Sequence, residues 1–175
     1  MSKQEQELLL MQRIIEVYFK PQSVSEFKKF NGWYSIPDGL VVSGASDVLY
    51  ELKSRPESIT TYGTTMLEKS KHDGMIEVIK NLNAHHKYFF LVEWKECVLV
   101  FVIHKDQELK WELMPCQESN GSSTKVLKPV TLLPHDQAIA VITKKNDQWS
   151  VKTIDELMNY IKVVRKQYYG DEESI

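Results

Sequence analysis

Ile36-Pro37-Asp38-Gly39-Leu40-Val41-Val42-Ser43-Gly44-Ala45-Ser46-Asp47-Val48-Leu49-Tyr50-Glu51-Leu52-Lys53-Ser54-Arg55 is the stretch on which the fold turns. Residues 33–42 and 48–55 are rich in aromatic and β-branched side chains, and the turn-forming Gly44-Ala45-Ser46-Asp47 separates them, so the segment reads as a β-hairpin. Side chains alternate along a strand, which puts Glu51 and Lys53 on one face and Val48, Tyr50 and Leu52 on the other. Two charges on an otherwise apolar strand need pairing, hydrogen bonds or a metal ion. If Gly44–Asp47 forms a four-residue loop, Ser43 lies opposite Val48 and Asp38 opposite Lys53, and opposite residues share a face. Asp38, Glu51 and Lys53 then converge. A loop longer or shorter by one residue would send Asp38 to the other face.

Working outward, residues 3–19 form an amphipathic helix with Leu8, Met11, Ile15 and Tyr18 on one stripe, flanked by Leu10, Ile14 and Val17, and ended by Pro21. Ser23-Val24-Ser25-Glu26 has capping-box spacing, which predicts a short helix to about Phe30 before Asn31-Gly32. Residues 65–82 are expected as a second helix carrying Leu67, Lys71, Met75, Val78 and Leu82 on one face, with a lysine inside the apolar stripe. The runs 88–94, 97–104 and 109–114 read as an antiparallel meander extending the sheet, and 126–134 and 138–143 as short strands. Thr153-Ile154-Asp155-Glu156 is another capping box, opening a helix on which Leu157, Ile161 and Val164 share a face; the acidic tail beyond Gly170 is expected to fray. The chain has no internal repeat. The fold class is therefore α/β, with a mixed sheet.

At 175 residues the chain can bury one substantial core and is short for two, so one domain is expected. Its longest apolar runs fall far below the roughly 20 residues a membrane span requires, and Met1-Ser2-Lys3-Gln4-Glu5 does not resemble a secretory leader, so the expected location is the cytoplasm. Cys97 and Cys116 lie in apolar or strand-like surroundings without CxxC pairing and read as reduced packing residues. The net charge of −2 argues against a stand-alone nucleic-acid binder but not against an enzyme that meets nucleic acid locally. Lysines cluster at Lys69/Lys71, Lys125/Lys128, Lys144/Lys145 and Lys162/Arg165/Lys166; such clusters are usually solvated faces.

The set Asp38, Glu51 and Lys53 suits metal-assisted phosphodiester hydrolysis. Mg²⁺ takes one or two carboxylates and accepts phosphate oxygens, while Lys53 can orient or help deprotonate the attacking water and offset developing charge. Other constellations are weaker. His85 and His86 are adjacent, so on a strand they would face opposite ways, and no second pair has zinc spacing. Neither cysteine sits in a nucleophile motif, and neither GxGxxG nor GxxxxGK[ST] occurs. Trp33, Trp94, Trp111 and Trp149 are expected to pack in the core or at its edges rather than stack on bases.

Pro37-Asp38, twelve intervening residues and Glu51-Leu52-Lys53 together resemble the signature of the PD-(D/E)XK nuclease superfamily. Acidic-x-Lys triplets also occur at Glu26, Glu93 and Glu108, and the upstream Pro-Asp is what distinguishes this one. The predicted order of helix, hairpin, helix and strand is similar to that family's restriction-endonuclease-like core over about residues 3–94. Residues 95–170 would then be an elaboration of added antiparallel strands and a C-terminal helix, with 171–175 a frayed tail. Tyr62 and Leu67-Glu68-Lys69-Ser70-Lys71 look closest to small phage-type nucleases and, more distantly, Holliday-junction resolvases. The resemblance implies that Asp38 and Glu51 are metal ligands, that the Leu52 backbone carbonyl is a third, and that Lys53 is the catalytic lysine. Lys71 would match the polar residue such nucleases present from the second core helix; snorkelling past the sheet edge is the alternative for it. A glutamate from the first helix is also implied, and Glu16 or Glu5, on one helical face, are open candidates. The resemblance further implies an endonuclease or structure-selective resolvase with Mg²⁺ or Mn²⁺ as cofactor and DNA as substrate, in replication, recombination or processing, in a bacterial or phage-infected cell. It allows a homodimer, because resolvases of this type work as pairs. The rival reading keeps the fold and drops the reaction: a binding or structural module of a viral or multi-protein assembly, with the same residues ion-paired.

Overall fold

The computed structural model describes residues 3–19, 24–29, 37–43, 48–82, 86–117, 124–145 and 148–169. The chain opens with helix α1 (Lys3–Ile14), prolonged by a π-helical turn at Ile15–Phe19. Strands β1 (Val24–Lys29), β2 (Gly39–Ser43) and β3 (Val48–Ser54) follow, then β4 (Thr64–Glu68) running directly into helix α2 (Lys69–Leu82). Strands β5 (Lys87–Glu93), β6 (Cys97–His104), β7 (Glu112–Gln117), β8 (Lys125–Pro134), β9 (Ala140–Lys145) and β10 (Gln148–Lys152) lead to helix α3 (Ile154–Tyr169). Among the described residues, one sheet has seven strands in the order β1-β2-β3-β5-β6-β9-β10, and a second has three in the order β4-β8-β7.

The large sheet is antiparallel except where β3 pairs with β5 in parallel. A parallel neighbour demands a crossover, and β4 with α2 supplies it. Both faces are covered, which explains the continuous apolar runs of β5 and β6. On one face Leu10, Met11, Ile14 and Ile15 of the first helical segment pack over Tyr50, Leu91 and Val100. On the other, Met75 and Ile79 of α2 and Leu157 and Ile161 of α3 pack with Leu67 and Leu133 over Leu49, Phe90 and Leu99. Each such side chain taken fully out of water contributes roughly 1.5–3 kcal/mol. Where β2 enters the sheet, Gly39 is opposite Tyr50, and a Cβ there would collide with the Tyr50 hydroxyl and the Lys28 carbonyl oxygen. Glycine is therefore required for the close approach that seats Asp38 beside β3.

Several expectations are corrected. The segment predicted as a short helix to Phe30 contains strand β1, which pairs with β2 from Val24–Ser43 to Lys29–Gly39. The second helix begins at Lys69, because Thr64–Glu68 pairs with β8. The third run of the expected meander is β7, shifted to Glu112–Gln117, and it joins the small sheet through β8 rather than extending the large one. Strand β9 starts two residues later than expected, at Ala140, and β10 was not anticipated. The hairpin register also differs: Val41 pairs with Val48 and Gly39 with Tyr50, so Asp38 comes level with Glu51, not Lys53. That shift is an even number of residues, so register alone does not move Asp38 to the opposite face, but its carboxylate turns to the β3 edge, where it accepts from the Leu52 N–H, and not onto the face that carries Glu51. The strand expected at residues 33–36, the turn at 44–47 and the acidic tail lie outside the described residues. The box at Thr153 does form: its Oγ1 accepts from the Glu156 N–H at 3.2 Å, and its own N–H donates to Glu156 Oε2 at 2.9 Å.

Candidate active site

Asp38 lies at a bend just before β2, in the place a β2 residue would take if the ladder continued. Its N–H donates to the Tyr50 carbonyl at 3.1 Å, and its Oδ2 accepts from the Leu52 N–H at 2.7 Å. The carboxylate thus caps the open edge of β3, in line with the sheet rather than on a face of it. The Leu52 N–H points to this edge, and in a strand the carbonyl of the same residue points the same way. Among the described residues the β2 ladder ends at Gly39–Tyr50.

Glu51 projects from β3 onto the α2 face, between Leu49 and Lys53. Only 4% of it is exposed, yet it carries a carboxyl group. Oε1 pairs with Lys71 Nζ at 2.7 Å, whereas Oε2 is fully buried and has no hydrogen-bond partner among the described residues. Burial, and then the nearby negative charge of Asp38, push the Glu51 pKa up from its ordinary 4.5 to about 7; Lys71 and Lys53 pull it back. An orphaned carboxylate oxygen that feels the charge of a second carboxylate is the kind of oxygen donor a hard cation takes. Among the described residues no three Asp, Glu, His or Cys side chains group closely enough to hold an ion alone, so the donors on offer are the two carboxylates and the Leu52 carbonyl.

Lys71 comes from the first turn of α2 and is about one-third exposed, so its ammonium reaches both Glu51 and solvent. Lys53 is half-buried, two residues beyond Glu51 on the same face. Desolvation, and then Arg55, lower its pKa, while Glu68 and Glu51 oppose the shift. Glu68, at the end of β4, forms a 3.0 Å ion pair with Lys128 of β8. The small sheet therefore borders the site with charge of both signs.

Sequence reasoning brings Asp38, Glu51, Leu52, Lys53 and Lys71 to this place, and the structure gathers all five. It does not gather Glu16, which is exposed and bonded to Arg13 at 2.7 Å, or Glu5, which is also exposed. The first-helix glutamate beside the site is Glu7, which lines a small cavity with Met11, Asp38, Tyr50 and Leu52. The signal was present: Glu7 precedes Met11 by four and Ile14 by seven residues, on the buried stripe. Burial, with help from Asp38 and Glu7, raises the Tyr50 pKa. Elsewhere, His72 is buried, with Nδ1 2.9 Å from the Tyr88 hydroxyl, and both cysteines are free and buried. Among the described residues no helix is long and apolar enough to cross a membrane. Compared with known proteins, the chain matches no family model and no curated protein.

Proposed function

We propose that this protein is a metal-dependent nuclease that hydrolyses DNA phosphodiester bonds at the Asp38–Glu51–Lys53 site. The observation that carries the reading is the buried Oε2 of Glu51, left without a partner among the described residues and within electrostatic reach of Asp38. Burying such a group without compensation is costly, and a bound cation would supply the compensation. The element order supports it: α1, β1, the β2–β3 hairpin bearing the acidic pair, β4, α2 and then β5 parallel to β3 contain the helix, hairpin, helix and strand expected of a restriction-endonuclease-like core, with β1 and β4 added.

Asp38, Glu51 and the Leu52 carbonyl would hold Mg²⁺ or Mn²⁺, which supplies Lewis acidity toward a phosphate oxygen and a more acidic bound water. The remaining work falls to the chain. Asp38 is held rigid by the Leu52 N–H, so its carboxylate need not be ordered on binding. Lys53, its pKa lowered by burial, is suited to exchanging a proton with water at Nζ. Lys71, paired on one side with Glu51 and open on the other, offsets charge on the phosphate.

A second reading has one observation in its favour. The 2.7 Å Glu51–Lys71 pair already neutralises half of the acidic site, as it would in an inactive, ion-paired binding module. A nicking assay on supercoiled plasmid with Mn²⁺ separates the two. The nuclease reading expects nicking by the wild type and none by Lys53→Ala; a wild type that leaves the plasmid intact at millimolar Mn²⁺ supports the inactive module.

A further inference from the structure

Beyond the acidic site, following the same two strands by one step each, a cleft of about 300 Å³ opens. Along β3 the step runs from Lys53 to Arg55, whose N–H continues the parallel pairing by donating to the Glu93 carbonyl at 2.7 Å. Along β4 it runs from Glu68, whose charge is felt at Lys53, back to Met66. Two strand residues cover roughly 7 Å, the scale of one nucleotide.

The walls of this cleft differ from those of the site. Trp94 forms part of its lining and is only 4% exposed, while Tyr62 at the mouth is 53% exposed, its ring centroid 6.4 Å from that of Trp94. Met66 and Met114 supply apolar sides, and Arg55 and Glu57 bring one donor group and one acceptor group. Trp94 Nε1 and Thr65 Oγ1, on two of the lining residues, are buried without hydrogen-bond partners among the described residues. The loop that carries Tyr62 is tied down: the Thr61 N–H donates to the Ser58 carbonyl at 3.0 Å, and Arg165 Nε of α3 donates to the Thr60 carbonyl at 3.2 Å. Tyr62 thus sets one part of its ring against Trp94 and presents the rest to solvent from a braced loop.

We infer that this cleft binds a single unpaired nucleobase of the DNA strand, stacked on Tyr62, while the adjoining phosphate lies at Lys53. The inference rests on the nuclease reading and narrows its substrate to DNA with an unpaired or extruded nucleotide beside the cut. The size suits one planar group and excludes a base pair with its backbone; the aromatic mouth provides a face on which any base can stack. Charge agrees, because Arg55 both lines the cleft and is felt at Lys53.

The test compares cleavage of two oligonucleotide duplexes with Mn²⁺, one fully paired and one with a single bulged nucleotide, and repeats binding with 2-aminopurine at the bulge. Wild type is expected to cut beside the bulge at least about tenfold faster than in the paired duplex, in line with the loss or gain of one base–aromatic stack. It is also expected to quench the 2-aminopurine. Tyr62→Ala brings the cleavage ratio close to one and removes the quench, whereas Tyr62→Phe, which keeps the ring, retains both. Equal preference and quench in wild type and Tyr62→Ala overturn the base site while leaving the nuclease standing. So does a wild type that cuts both duplexes at one rate. A wild type that cuts neither duplex overturns both.

Discussion

Two glutamates, Glu51 on β3 and Glu156 at the start of α3, have opposite relations to the fold. Glu156 is exposed, and its carboxylate accepts from the Thr153 N–H at 2.9 Å and from Thr153 Oγ1 at 3.3 Å. That backbone N–H is the main reason its pKa is lowered, with Lys152 assisting. Both the charge and the donors it satisfies favour the helix start. Glu51 is buried with one oxygen orphaned, and burial holds its pKa above the ordinary range. The first carboxylate stabilises the element it belongs to; the second costs stability where it stands. A group of the second kind points to chemistry, because nothing in the packing requires it.

That contrast can be broken in three ways, in descending order of effect. Glu51→Gln and Asp38→Asn should each lower Mn²⁺-dependent DNA cleavage by about 10²–10³-fold, the scale of losing a charge-stabilising group at a reacting centre. Glu156→Gln should leave cleavage unchanged in the same assay. The second concerns stability against pH without added metal. With Glu51 near 7 in the folded chain and 4.5 as its ordinary value, the folded state keeps a proton that the unfolded chain releases. Unfolding free energy should therefore fall as pH rises from about 4.5 to 7. Urea denaturation should find Glu51→Gln more stable than wild type by roughly 2–3 kcal/mol at pH 8, with the difference vanishing at pH 4. An equal difference at both pH values would mean that the charge on Glu51 is not what costs stability. The smallest effect lies at the other glutamate: Thr153→Ala removes the cap and should cost about 1 kcal/mol in the same urea experiment.

The capping boxes also mark where sequence reading succeeds and where it stops. Thr153–Glu156 precedes an apolar periodicity carried by Leu157 and Ile161, and helix α3 has sixteen residues. Ser23–Glu26 has the same spacing but is followed within a few residues by Asn31-Gly32. So short a helix is marginal in water, and pairing with β2 wins. Residues 65–68 read as the start of the second helix because Leu67 and Lys71 have helical spacing, while in the structure they pair with β8, a partner some sixty residues away. Which strands share a sheet is a property of such distant pairings, so β7 was assigned to the wrong one.

The site itself was more legible. Alternation along β3 settles the faces of Glu51 and Lys53, and Lys71 stands out as a lysine inside an apolar stripe, although its pairing with Glu51 is visible only in the structure. The level of Asp38 was not legible, because it depends on where pairing stops: at Val41–Val48 instead of Ser43–Val48. Glu7 was passed over for Glu16 and Glu5, although only Glu7 lies on the stripe that buries Met11 and Ile14.

The central claim is that the orphaned oxygen of Glu51 is a cation ligand. Titration of the metal-free protein with Mn²⁺ at pH 8, followed by electron paramagnetic resonance, tests it without reference to any substrate. The account predicts one Mn²⁺ bound per wild-type chain, and loss of that binding in Glu51→Gln but not in Glu156→Gln. A wild type that leaves Mn²⁺ free in solution, or a Glu51→Gln protein that binds it equally well, would contradict it.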